Sequence, residues 1–136
     1  MWTIVIATVL MGCSEYQIEQ QQTIPEGTET NTVPAPSIIV EPATVDFGVL
    51  AVGSTAAVVV QVRNEGTATL DLHGLFLLDQ SGAYTTTQLG VMALEPNEST
   101  NFAVTYTPTL DGIHDDRVDV YSNDPVSPTL QVPING

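Results

Sequence analysis

AAVVVQVRNEG, residues 56–66, sets Val58, Val60 and Val62 in alternation with Ala57, Val59, Gln61 and Arg63, then stops at Asn64-Glu65-Gly66. A period of two puts the first set on one face of a β-strand and the second on the other. Asn and Gly tolerate the positive φ that a tight turn requires. A helix would bury every third or fourth residue instead, and a run of β-branched valines favours the strand further. One face of this strand is therefore core, and the rest of the chain must supply its partners.

Residues 102–106 alternate Phe102, Val104 and Tyr106 with Ala103 and Thr105, and Val118, Val120, Leu130, Val132 and Ile134 extend an inner face. Candidate strands run over residues 37–40, 44–47, 56–64, 70–78, 100–107, 117–122 and 129–134. Pro96-Asn97, Asp111-Gly112 and Asn123-Asp124-Pro125 mark turns between them. In Asn123, Asp124 and Pro125 an Asx side chain is placed to bond the backbone two residues on, which makes them a structural turn motif. No helical period is evident. About seven short strands in about 100 residues predict an all-β fold, an immunoglobulin-like antiparallel β-sandwich over residues 37–136.

Simple alternation along residues 70–78 sets Leu75 and Leu77 opposite Leu70, Leu72, Phe76 and Leu78. With Val59 they would compose an exposed apolar patch of the kind that marks a contact surface. A bulge at Gly74 would turn them inward instead. Asp116 shares parity with Val118 and Val120, so it needs a partner if the strand reaches that far.

Charge narrows the partners. Sixteen acidic residues stand against Arg63 and Arg117, with no lysine, for a formal net charge of −14. Nucleic-acid affinity comes from Lys and Arg neutralising phosphates, so nucleic acid is excluded as a partner. Anionic headgroups are repelled for the same reason, and membrane association would require an anchor rather than a basic patch.

Residues 1–12, MWTIVIATVLMG, include ten apolar residues, counting Gly12, and none that is charged. They are too short for a transmembrane helix, which needs roughly 17–25 residues, and match the h-region of a secretory signal. They run into Leu10-Met11-Gly12-Cys13, which resembles the lipobox of bacterial lipoproteins. That resemblance implies cleavage between Gly12 and Cys13, lipidation of Cys13, and a mature chain of 136 − 12 = 124 residues. Met11, in a slot where Ala or Ser is commoner, and an n-region without Lys or Arg depart from the pattern. Ser14 resembles the residue that directs such lipoproteins to the outer membrane, facing the periplasm or the cell surface. Cys13 is the only cysteine, so an internal disulfide is excluded. Residues 13–36, rich in Gln, Glu, Thr and Pro, bury too little apolar surface to order themselves and are expected to form a flexible acidic tether. Extended, the tether reaches about 80 Å.

The turn and strand residues also carry a family likeness. Val45-Asp46-Phe47-Gly48, Val52-Gly53, Val62 to Leu70 (VRNEGTATL), Leu94-Glu95-Pro96, Tyr106-Thr107-Pro108, Gly112 and Ser122-Asn123-Asp124-Pro125 together resemble the bacterial choice-of-anchor D type domain. That domain is similar to the hydin, abnormal-spindle and major-sperm-protein group of immunoglobulin-like modules. The likeness spans residues 36–136, with Asn97 where the family usually has Gly. It implies a structural or protein-binding module with no catalytic residues and no cofactor.

Catalytic motifs are absent from the sequence: His73 and His114 are 41 positions apart, with no HExxH, GxSxG, P-loop or CxxC. The weaker alternative is an adhesion module for carbohydrate or Ca²⁺. Calcium would draw on Asp111 and Asp115, with Asp124 about 20 Å away at strand rise and so outside any shared site. Carbohydrate would need exposed aromatics, for which Tyr16, Tyr84 and Tyr121 are the candidates. The expectation is a non-enzymatic, lipid-anchored envelope protein with a protein partner, its oligomeric state open.

Overall fold

The computed structural model describes residues 32–136. Gly12, Cys13, Tyr16 and most of the expected tether lie outside the described residues. The strands are β1 (Ile38–Glu41), β2 (Val45–Asp46), β3 (Ala56–Asn64), β4 (Leu70–Leu78), β5 (Tyr84–Thr86), β6 (Ala93–Leu94), β7 (Ser99–Tyr106), β8 (Asp115–Ser122) and β9 (Thr129–Asn135). One sheet has the order β1-β3-β7-β5 and the other β2-β9-β8-β4-β6. The immunoglobulin-like sandwich is therefore the observed fold. Two short strands, β5 and β6, extend the expected set, and β2 runs parallel to β9, whereas every other pairing is antiparallel.

The inner faces fulfil the alternation. Val60, Val62, Phe102, Val104 and Tyr106 pack against Leu70, Leu72, Val118, Val120, Val132 and Ile134, all buried. Val59 points outward from the first sheet and is 62% exposed.

Along β4 the outcome differs from simple alternation. Leu72 pairs with Ser122 and Gly74 with Tyr121, so the register slips at His73, and Gly74 takes φ 137°. One extra residue exchanges the faces beyond it. Leu75 and Leu77 consequently pack on the core, while Phe76 is exposed. The patch of Val59, Leu75 and Leu77 is not formed: the bulge turns two of its members inward, and the third belongs to the outer face of the other sheet.

β1 covers β3 only from Gln61 to Asn64. After Glu41 the chain crosses to the second sheet and pairs Val45 with Ile134. The sandwich thus has two distinct ends. One gathers the arriving chain, the turn after β3 and the turn after β8; the other gathers the loops from β2 to β3, β4 to β5 and β7 to β8. Eight steps of β3 separate them by roughly 25 Å.

Two buried polar side chains secure the first end. Asn64 is 0% exposed, and its Oδ1 accepts from Gly66 N at 2.9 Å and Ser37 N at 3.3 Å. Its Nδ2 donates to Ala68 O at 2.8 Å and Leu94 O at 2.9 Å. Asp124, 3% exposed, accepts from Ile38 N at 2.8 Å through Oδ2, and from Val126 N at 2.7 Å and Ser127 N at 3.0 Å through Oδ1. Ala35 O accepts from Thr67 N and Ala68 N, which ties the chain two residues ahead of the expected start at residue 37. Gly66 lies so close to this segment that a Cβ there would sit 2.5 Å from Ser37 N and 2.6 Å from Pro36 C. Here glycine is required by contact rather than by its φ. In the Pro96-Asn97 turn, Asn97 holds φ 71°, a left-handed conformation that Asn tolerates.

Burial alone would raise the Asp124 carboxyl, but the backbone N–H groups of Ile38, Ser127 and Val126 stabilise its anion and hold it below the ordinary value of 3.8. A folded-state value below the unfolded one contributes stability that is present above 3.8 and lost as pH falls through the folded value. Asp124→Asn is expected to cost about 1–3 kcal/mol at neutral pH. Urea titrations should show the gap between wild type and variant narrowing once pH drops below 3.8. A gap independent of pH would sink this assignment.

Candidate interaction surface

The opposite end carries the most conspicuous apolar exposure. Val49 is 105% exposed, Ile113 85%, Leu110 71% and Val52 48%. They come from two loops, residues 47–55 and 107–114, and border one recess of about 230 Å³ with Leu50, Pro108 and Tyr106.

Local bonds hold these loops in place. Asp46 Oδ1 accepts from Gly48 N at 2.8 Å in an Asx turn that leaves Gly48 at φ 60°. Gly53 N donates to Pro108 O at 2.8 Å, which joins the two loops directly, and the hydroxyls of Thr55 and Thr107 bond at 2.9 Å. His114 and Gly136 exchange backbone bonds, His114 N to Gly136 O at 2.9 Å and Gly136 N to His114 O at 3.0 Å.

Beneath lies an aromatic floor. The rings of Tyr84 and Tyr106 stack at 4.7 Å between centroids, and Phe47 leans on Tyr106 at 5.3 Å. The Tyr84 hydroxyl donates to His114 O at 2.6 Å, and the Tyr106 hydroxyl bonds His114 Nδ1 at 2.8 Å. Burial, with smaller contributions from Tyr106 and the carboxylates of Asp116, Asp115 and Asp79, pushes the Tyr84 phenol above its ordinary range. It therefore stays protonated and serves as a donor. The polar groups of the floor are engaged with one another, and what they hold up is apolar. Exposed apolar surface of this kind often marks a contact site on a folded domain.

The sequence-predicted residues fall in different places. Asp111 borders the recess and Asp115 opens β8, both exposed. Asp116 finds its partners in the loop from β4 to β5: both oxygens accept from Gln80 N at 3.2 Å, and Oδ2 from Ser81 Oγ at 3.3 Å. Among the described residues no group of three His, Cys, Asp or Glu converges on a metal position. Asn123, Asp124 and Pro125 lie at the other end. Asn123 Oδ1 accepts from Asp71 N at 2.9 Å, so the motif fastens β4 as well as its own turn. Tyr84, read from the sequence as a surface aromatic, is buried because β5 places it against Tyr106, whereas Tyr121 is exposed.

Sequence reasoning passed over Val49, Val52, Leu110 and Ile113. The available signal was large apolar residues set among Gly, Ala, Ser and Asp in VLAVGS, residues 49–54, and LDGI, residues 110–113, where no strand period can bury them.

Solved structures share the fold. A protein of unknown function from Porphyromonas gingivalis W83 aligns with a TM-score of 0.65 at 18% identity over 79% of this chain, which spans 50% of that one. The human CEP192 ASH / PapD-like domain 7 aligns over 98% of this chain and 95% of its own, with a TM-score of 0.53 at 15% identity. SSP-19 of Caenorhabditis elegans, an MSP-domain protein like family member, gives a TM-score of 0.54 at 12% identity over 71% of this chain and 96% of its own. No curated protein sequence matches. The family model described as Abnormal spindle-like microcephaly-associated, ASPM-SPD-2-Hydin matches residues 36–130, from just ahead of β1 to the second residue of β9. The chain thus belongs to the ASH family, as the hydin-like motifs between Val45 and Pro125 implied.

Proposed function

We propose that the chain is a lipid-anchored, non-enzymatic protein-interaction module of the bacterial cell envelope, of the choice-of-anchor D type. Residues 1–12 are its signal peptide, Cys13 carries the lipid at the outer membrane, and residues 13–36 are the tether. One observation carries the reading: the chain reaches the sandwich at the Asn64 and Asp124 end, and the exposed apolar recess occupies the end opposite. A domain held from the first end presents the second outward. The net charge of −14 supports an anchor over electrostatic adsorption, because anionic headgroups repel it.

The test is the intact mass of membrane-extracted protein from a bacterial host beside a Cys13→Ser control. A diacylglyceryl cysteine at a new N-terminus, with the control released from the outer-membrane fraction, is the expected result. An unmodified chain starting at Met1 in both preparations would remove the anchor and the envelope localisation together.

A further inference from the structure

We propose that the recess between the loops of residues 47–55 and 107–114 receives a short apolar segment of a partner protein, flanked by Lys or Arg. The proposal rests on the interaction-module reading and adds the partner's chemistry to it.

Size and charge decide the occupant. About 230 Å³ falls below the roughly 300–1,000 Å³ of small-molecule sites, so the recess suits one or two side chains better than a cofactor. Val49, Val52, Leu110 and Ile113 supply apolar walls that an aliphatic or aromatic side chain would cover. Asp111 stands on the rim, and Asp46, Asp79, Asp115 and Asp116 lie at the same end. Among the described residues both arginines are paired with carboxylates, although Arg117 lies beside Asp115 and Asp116 at this end. Arg117 pairs with Asp119 at 3.0 Å, and Arg63 sits near the other end, 3.7 Å from Glu65. Asp111 on the rim, with the other acids of this end, attracts basic flanks and repels both a second copy of this acidic chain and an anionic lipid. Asp46, Asp111 and Asp115 are exposed, so their attraction is screened by salt over a Debye length of about 8 Å.

The experiment uses the full chain carrying Cys13→Ser, so that no lipid competes, and a phage-displayed random dodecapeptide library. Selected peptides should carry one to three large apolar residues flanked by Lys or Arg. Combining Leu110→Asp with Ile113→Asp should raise their Kd at least about tenfold, the scale of one lost hot spot. Raising NaCl from low to high concentration should weaken binding several-fold. Val59→Asp and Val126→Asp, exposed apolar positions away from the recess, should leave the Kd unchanged. All four positions are exposed, so unfolding midpoints should stay put for the loop variants and fall only slightly for Val59→Asp, which lies within β3, and that check separates lost binding from lost folding.

Peptides that bind but respond to Val59→Asp or Val126→Asp in place of the recess variants would overturn this assignment and leave the interaction-module reading standing. Selected peptides lacking basic flanks would overturn the charge argument. Sedimentation as a dimer that Ile113→Asp dissolves, or cosedimentation with phosphatidylcholine vesicles, would give the surface to a second copy or to lipid. Failure to select any peptide would count against both readings.

Discussion

Asn64→Ala is expected to lower the free energy of unfolding by about 3–5 kcal/mol, a large share of the roughly 5–15 kcal/mol typical of a domain. Asn64 uses both donors and two acceptor positions on groups from three segments, and it is 0% exposed. Truncation strands Ser37 N–H, Gly66 N–H, Ala68 C=O and Leu94 C=O together. An unsatisfied buried group costs about 1–3 kcal/mol; only the bond to Leu94 O is fully buried and the other three are part-buried, so water reaching the vacated space reduces the sum. The measurement is a urea titration at pH 7. A loss below about 1 kcal/mol would show that the turn stands without its amide. Protease susceptibility near Ala35 and Pro36 should rise in step, since Ser37 loses a bond that holds the arriving chain.

Tyr106→Ala should cost about 3–5 kcal/mol, the range of large aromatic truncations in cores. Tyr106 is buried, stacks on Tyr84, touches Phe47 and bonds His114, so the deletion opens a cavity beneath the recess and frees the loop that carries Ile113. Tyr106→Phe separates the two effects. It keeps the ring and should cost only about 0.5–1.5 kcal/mol, the net worth of one hydrogen bond. Thermal melts of both variants check this: about 4–8 °C per kcal/mol is expected for a domain of this size. Equal losses in the two variants would contradict the packing account.

Where the period was long, the chain declared itself. β3 runs over the residues that alternation indicates and buries the face it indicates, because nine successive residues leave the spacing of apolar side chains unambiguous; β4 has the indicated bounds, but its faces exchange halfway. β5 and β6, with three and two residues, have no period to display. The slip at His73 was readable only as a condition attached to Gly74, since a bulge is fixed by the partner strand, here β8, and not by the bulged strand itself. Asn64 and Asp124 looked like ordinary turn residues. Their burial comes from loops distant in sequence meeting at one end, which a local reading cannot see. The recess was hidden in the opposite way: its side chains obey no pattern because they are not folded away.

The crossing of the N-terminal strand between sheets has a mechanical consequence. A pull applied through Ala35, resisted by a partner seated in the recess, acts nearly along the strand axes. The bonds between β1 and β3 lie perpendicular to the strands, so the load falls on all of them together instead of opening them one after another. The bonds from Ser37 N to Asn64 and from Ile38 N to Asp124 take up load at the same point. The second sheet shares that load through β2, two residues zipped parallel to the end of β9. Under such a pull, a short strand divided between two sheets would be loaded in shear rather than unzipped.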